Sequence, residues 1–101
     1  MSAARHELTL FVSGASDFSA RAVAHARQLC DDHLSGRYDL SVVDVHEDPG
    51  ACASHRVLAT PTLIKHRPLP ARRHVGDLSQ ADQVLLALAI RIAESTPTAA
   101  S

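Results

Sequence analysis

The stretch Ala59-Thr60-Pro61-Thr62-Leu63 constrains this chain more than any other. Proline lacks an N–H, so it cannot sit in the middle of a central strand, but it can open one. An X-Pro bond is also the ordinary place for a cis peptide. Thr62 and the apolar pair Leu63 and Ile64 then read as a buried strand that starts just after Pro61. The segments before and after take their places around that start.

Upstream, Leu8-Thr9-Leu10-Phe11-Val12 is short, β-rich and bounded by Ser13-Gly14, which predicts a strand with both faces covered. Residues 13–17 form a polar turn in which Ser16 or Asp17 can cap a helix. From Phe18 the apolar spacing becomes helical. Phe18, Ala22, Ala26, Leu29, Cys30 and His33/Leu34 share one face, Arg21, His25, Gln28 and Asp32 fall mostly on another, and Gly36 is placed to end the helix. Residues 38–45 predict a second strand with Leu40, Val42, Val43 and Val45 as its apolar members. Strand, helix and strand within so short a span form a βαβ unit, so the two strands should be parallel.

Asp48-Pro49 is a helix start, a capping carboxylate followed by proline at the first helical position, and predicts a short Ala-rich helix over 49–58. After Thr60-Pro61 come a strand over 62–65 and a connector, Arg67-Pro68-Leu69-Pro70. Arg72-Arg73-His74-Val75 then predicts a charged edge strand, broken by Gly76-Asp77. Ser79 with Asp82 has the spacing of a capping box, and Ala81, Val84, Leu85, Leu88, Ala89 and Ile92 form a last helical stripe. Residues 84–90 are apolar at every position, so periodicity alone does not separate helix from buried strand there. The expected fold class is α/β, a single thioredoxin-like domain of order βαβαββα. The expected division is a flexible N-terminus over 1–7, a folded domain over 8–93 and a disordered Ser/Thr/Ala/Pro tail over 94–101.

With 101 residues there is material for one small core. Phe11, Phe18 and Tyr38 are the aromatic residues, so that core must be aliphatic, and self-association would be unsurprising. A net charge of −1 gives no global attraction to nucleic acid or to an anionic membrane. No run approaches the roughly 18 apolar residues of a membrane span. Residues 1–7 lack the apolar core of a signal peptide, and only two cysteines are present. The expected setting is therefore a reducing cytoplasm.

The residues that could carry chemistry point away from an enzyme. A redox thioredoxin needs two cysteines, two residues apart, at the turn into the first helix, where the helix dipole lowers a thiol pKa. That turn is Ser13-Gly14-Ala15-Ser16-Asp17, without cysteine and with an acidic Asp17 that would oppose a thiolate. Cys30 falls on the apolar face and reads as a small buried hydrophobe, while a redox role through Cys52 remains the alternative function. Seven histidines raise a metal reading, with Cys30/His33 and Cys52/His55 each three apart and His66 and His74 able to face each other across the hairpin. Pairs alone fall short of the about four ligands of a zinc site, so no metal and no cofactor is expected. The four glycines are scattered and make no phosphate loop. What remains is the cluster Lys65, His66, Arg67, Arg72, Arg73 and His74, either a solvated edge or a basic docking patch for an acidic partner.

Taken together, Leu10-Phe11-Val12-Ser13-Gly14, Val43-Asp44-Val45, Leu58-Ala59-Thr60-Pro61-Thr62-Leu63 and Pro68-Leu69-Pro70-Ala71-Arg72-Arg73-His74-Val75-Gly76-Asp77-Leu78-Ser79 resemble the KaiB family of bacterial circadian-clock proteins, from about Leu8 to Ile92. The sensor domain of a KaiB-like histidine kinase is the nearest confusable relative. The resemblance implies a non-enzymatic protein that binds the ring-shaped ATPase KaiC and helps time its phosphorylation cycle, in a clock or in another KaiC-linked pathway such as stress response. It implies as partners a KaiC-type ATPase, with a histidine kinase as a second candidate, and self-association as a dimer or tetramer. It also implies two folds, the thioredoxin-like one and a KaiB-specific form with a rearranged C-terminal half. Thr60, Pro61, Pro68 and Pro70, at the X-Pro bonds, then mark the structural switch. Matched by position, the partner-binding residues are Asp48, Pro49, Ala51, Ser54, His55 and Arg56, supported by the charges of Arg72 and Arg73. The turn Ala15-Ser16-Asp17 departs from the family, which usually carries Thr-Pro there.

Overall fold

Alternation along the first strand decides the layering. Leu8, Leu10 and Val12 point to one side of the sheet and Thr9 and Phe11 to the other, and each side is covered by helix. The computed structural model describes residues 5–90. The expected tail over 94–101, Ile92 and residues 1–4 lie outside the described residues.

The elements follow the expected order: β1 (His6–Val12), α1 (Asp17–Leu34), β2 (Tyr38–Asp44), α2 (Pro49–Ser54), β3 (Thr62–Arg67), β4 (Arg72–Val75) and α3 (Ala81–Ala87). The strands form one sheet in the order β2-β1-β3-β4. β1 runs parallel to β2, with Leu10 opposite Val42, and antiparallel to β3, with Leu10 opposite Leu63. β3 and β4 form the antiparallel hairpin, with Ile64 opposite Arg73 and Lys65 opposite Arg72. The α/β, thioredoxin-like arrangement holds through both halves. The apolar run over 84–90 contributes to helix α3, whose Val84 and Leu85 are buried.

The larger core lies between the sheet and the helices α1 and α3, built from Leu8, Leu10, Ala26, Leu29, Leu63, Leu85 and Leu88 among others. Full burial of a side chain of this size stabilises by about 1.5–3 kcal/mol, so this layer dominates the stability of the domain. The opposite face has a small core, Phe11, Val57 and Ile64, with Val43, Val45, Ala51 and Cys52 packed against it. Among the described residues, α2 is the helix that covers that face.

Local chemistry sets the helix starts. Ser16 caps α1, its Oγ accepting from Ser19 N at 3.1 Å. Asp48 caps α2, its carboxylate accepting from Ala51 N at 3.0 Å, with Pro49 in the first turn. The start of α3 differs from expectation. Its N-cap is Gln80 with no side-chain bond, because Asp77 captures Ser79 instead, accepting from both its backbone N–H and its hydroxyl. A short Asx-type turn replaces the capping box.

Other boundaries shift for traceable reasons. β1 begins at His6, two residues earlier than expected, because His6 and Glu7 pair with Tyr38 and Asp39. Arg5 extends this edge with an ion pair to Asp39 at 2.7 Å. β3 continues to Arg67. α2 stops at Ser54, well short of 58. Arg56 adopts a left-handed conformation, φ 54°, and Val57 N–H donates back to Cys52 O at 3.0 Å. Val57 thereby enters the small core and Leu58 turns out into solvent. Phe18, expected on the buried face of α1, is 60% exposed in the first turn, beside Pro61.

The Thr60-Pro61, Arg67-Pro68 and Leu69-Pro70 bonds are cis. The start of β3 is held by Thr62 Oγ1 donating to Ala59 O at 2.6 Å, and by Gly76 N donating to Pro61 O at 2.8 Å. Lys65 departs from the expected surface patch. It alternates inward with Leu63 and is 1% exposed, with Nζ donating to Ala89 O at 3.4 Å just past the end of α3. A helix C-terminus favours a cation. Burial first, and the charge of Arg72 second, lower the Lys65 pKa.

Candidate functional site

α2 is six residues long, too short to be stable alone, so its place depends on what holds it. Asp48 and Pro49 fix its start. At its other end Arg73, from β4, donates from its guanidinium to His55 O at 2.6 Å and to Arg56 O at 3.1 Å. One side chain thus ties the hairpin to the turn that closes α2. His55 is the C-cap residue, and its Nδ1–H donates to Ala51 O at 3.0 Å. Ser54 is exposed and its hydroxyl donates to the same carbonyl at 3.2 Å. Ala51 is half-buried against the small core and serves packing.

The structure therefore brings Asp48, Pro49, Ser54, His55, Arg56 and Arg73 onto one side of the sheet. It does not bring Arg72 there. Arg72 lies opposite Lys65 in the hairpin and Arg73 opposite Ile64, so strand alternation sends their side chains to opposite faces. His66 and His74 separate in the same way. His74 lies opposite Leu63, its ring bonded to Asp77 O at 2.9 Å, while His66 is on the α2 side, its Nε2 2.9 Å from Thr9 Oγ1. Thr60 and Pro61 lie between α2 and β3, beside the first turn of α1; Pro68 and Pro70 lie in the β3–β4 turn.

Two further residues lie on this surface: His66, which the sequence placed only in the charged hairpin cluster, and Leu58, which it did not single out. His66 stacks edge-to-face on His55, ring centroids 5.4 Å apart, and His55 in turn lies 5.6 Å from Phe11. Burial and then the charge of His55 hold the His66 imidazole below its ordinary range, opposed by Glu7. The alternation of β3 could have placed His66 on this face, but nothing local in the sequence signals His55 as its neighbour. Leu58 is 96% exposed directly after the turn. Its signal was hidden, since Val57-Leu58 reads as the end of an apolar helix face.

The cysteines sit on opposite sides of the sheet, and both are free. Cys30 is buried in the larger core, where desolvation pushes its pKa up to about 11. Cys52 is half-buried and its thiol donates to Val57 O at 3.3 Å. Among the described residues no group of three or more His, Cys, Asp and Glu is placed to hold a metal ion, and no helix is long and apolar enough to cross a membrane.

A family model for the KaiB domain matches residues 9–90. The chain belongs to the KaiB family. Circadian clock protein KaiB3 of Synechocystis is 37% identical over 83 residues, covering 82% of this chain and 81% of that protein. The circadian clock oscillator protein KaiB of Prochlorococcus marinus is 40% identical over 91 residues, covering 90% and 87%. Its counterpart from Synechococcus elongatus is 41% identical over 81 residues, covering 80% and 79%. Among solved structures, the N-terminal domain of Synechococcus elongatus SasA superposes with a TM-score of 0.66 at 23% identity, covering 82% of this chain and 78% of that one. The Drosophila melanogaster thioredoxin Deadhead gives 0.65 at 14%, covering 83% and 81%. At those identities the structural likeness speaks for the fold, which is thioredoxin-like. Family membership places the chain among clock regulators.

Proposed function

We propose that this KaiB-family domain is a non-enzymatic regulator that docks through its α2 face on a KaiC-type ATPase and modulates that enzyme's phosphorylation and ATPase cycle in the cytoplasm. The observation that carries the reading is the KaiB-domain match over residues 9–90, with clock proteins as relatives over most of their length. The surface chemistry supports it. Asp48, Ser54, Arg56 and the exposed Leu58 present charged, polar and apolar groups on and beside a short helix whose position Arg73 fixes. The turn into α1, where a thioredoxin would hold its thiol pair, carries Ser13 to Asp17 instead. A histidine kinase is a second candidate partner, and association with further copies of the chain belongs to the same proposal.

Co-elution of the purified chain with a nucleotide-loaded KaiC-type ATPase tests this. The wild-type chain is expected to co-elute. Arg56→Glu reverses a charge at the edge of the face and is expected to weaken binding by roughly tenfold or more, the loss that a like-charge juxtaposition brings. Unchanged binding by Arg56→Glu would remove the site assignment, and failure of the wild-type chain to bind would remove the partner.

A further inference from the structure

His55 and His66 come from different elements and meet only in the fold. Their rings are in edge-to-face contact, and each is tied at one nitrogen, His55 to Ala51 O and His66 to Thr9 Oγ1. The groups around them offer little to neutralise charge. β4 contributes Arg73, bonded to the carbonyls of His55 and Arg56, and Arg56 follows directly in the chain. β1 contributes the neutral Thr9 and Phe11, and Glu7, whose charge favours a proton on His66. β2 covers this side with Val43, and Asp48 spends its carboxylate on the far end of α2.

We propose that the His55–His66 contact makes the attachment of α2 acid-labile: a proton on His66 drives His55, and with it the last turn of α2, off the sheet. A proton on His66 would set a half-buried cation in ring contact with His55, whose backbone carbonyl already holds the Arg73 guanidinium. α2 is the element that yields because it buries no residue fully and rests on the small core of Phe11, Val57 and Ile64. The sign follows from the depressed His66 pKa. The folded state prefers the neutral ring, so this part of the stability is complete above about pH 6.5 and is lost as pH falls through the folded value. The opening of α2 stands independently of any partner. The loss of docking that it would bring rests on the function proposed above.

The test is a titration of the whole chain from about pH 8 to about pH 5, spanning the histidine range. Histidine ring resonances and backbone amide exchange are followed by NMR. His66 is expected to titrate below the ordinary histidine range. The amides of 51–57 are expected to lose protection by about tenfold or more relative to Leu10 and Leu63, after correction for intrinsic exchange. His66→Gln, neutral and still able to bond Thr9, is expected to keep α2 protected at the acid end. A His66 titration that is not depressed, unchanged protection in the wild-type chain, or the same acid loss in His66→Gln would each overturn the proposal. Should His66→Gln not fold, His55→Gln makes the same comparison. A binding series with the ATPase separates the two readings: if α2 opens with acid while binding holds, the lability stands and the docking face is wrong.

Discussion

Arg73 shows how much one side chain can settle at the scale of the residue. Its sequence context, a run of positive charge before a β-branched residue, says only that an edge strand is there. Its two bonds to the carbonyls of His55 and Arg56 depend on which face it takes, and that is fixed by the register of β4 against β3. Cys30 is the contrasting case, since its burial followed from helical spacing alone. Its raised pKa has a testable consequence. The thiol is neutral in the folded state, so this contribution is complete below about 9.0 and is lost as pH rises toward about 11. At neutral pH a thiol reagent should modify Cys52 first and reach Cys30 only as the chain unfolds. A Cys30→Ala variant should show a shallower loss of stability across the alkaline range. Rapid labelling of Cys30 in the folded chain would contradict its placement.

At the scale of the element, α2 is the part whose position the sequence least determines. Asp48-Pro49 announces its start, because a cap is a local bond between neighbours. Its end is set at a distance, by the room that Phe11 and Ile64 leave for Val57. The same distinction explains the start of α3, where the Asp77 carboxylate competes for Ser79 and wins over the expected cap. β1, β4 and α1 were legible because a β-rich run bounded by Ser-Gly, a charged run ended by Gly76-Asp77 and helical apolar spacing are all local patterns. Lys65 was not, since a lysine in a charged run reads as surface until the strand's alternation is seen to turn it inward. The weak link between α2 and the sheet yields a prediction. Phe11→Ala removes the largest member of the small core, and truncations of this kind cost about 3–5 kcal/mol. Thermal unfolding should register that loss, and amide exchange should rise over 49–57 while the β1 to β3 pairing keeps its protection. A uniform rise across the sheet would mean that α2 is not a separately attached unit.

For the whole molecule, element order and chain direction came through from sequence because each step rests on a general rule. A βαβ unit makes parallel strands, a proline opens a strand, and a charged hairpin sits at a sheet edge. What sequence pattern did not supply was the meeting of distant side chains on the α2 side, His66 on His55 and Arg73 on the closing turn. The stretch Thr60-Pro61-Thr62 joins the halves: before it lie β1, α1, β2 and α2, after it the hairpin and α3, and Gly76 N bonds back to Pro61 O across it. We propose that such a molecule acts by presenting α2 to an ATPase. Amide exchange on the complex with a nucleotide-loaded KaiC-type ATPase tests it most directly. New protection is expected over 48–56 and at Arg73, with β2 and the outer face of α1 unchanged. Protection confined to α1 or β2, or none anywhere in the chain, would contradict it.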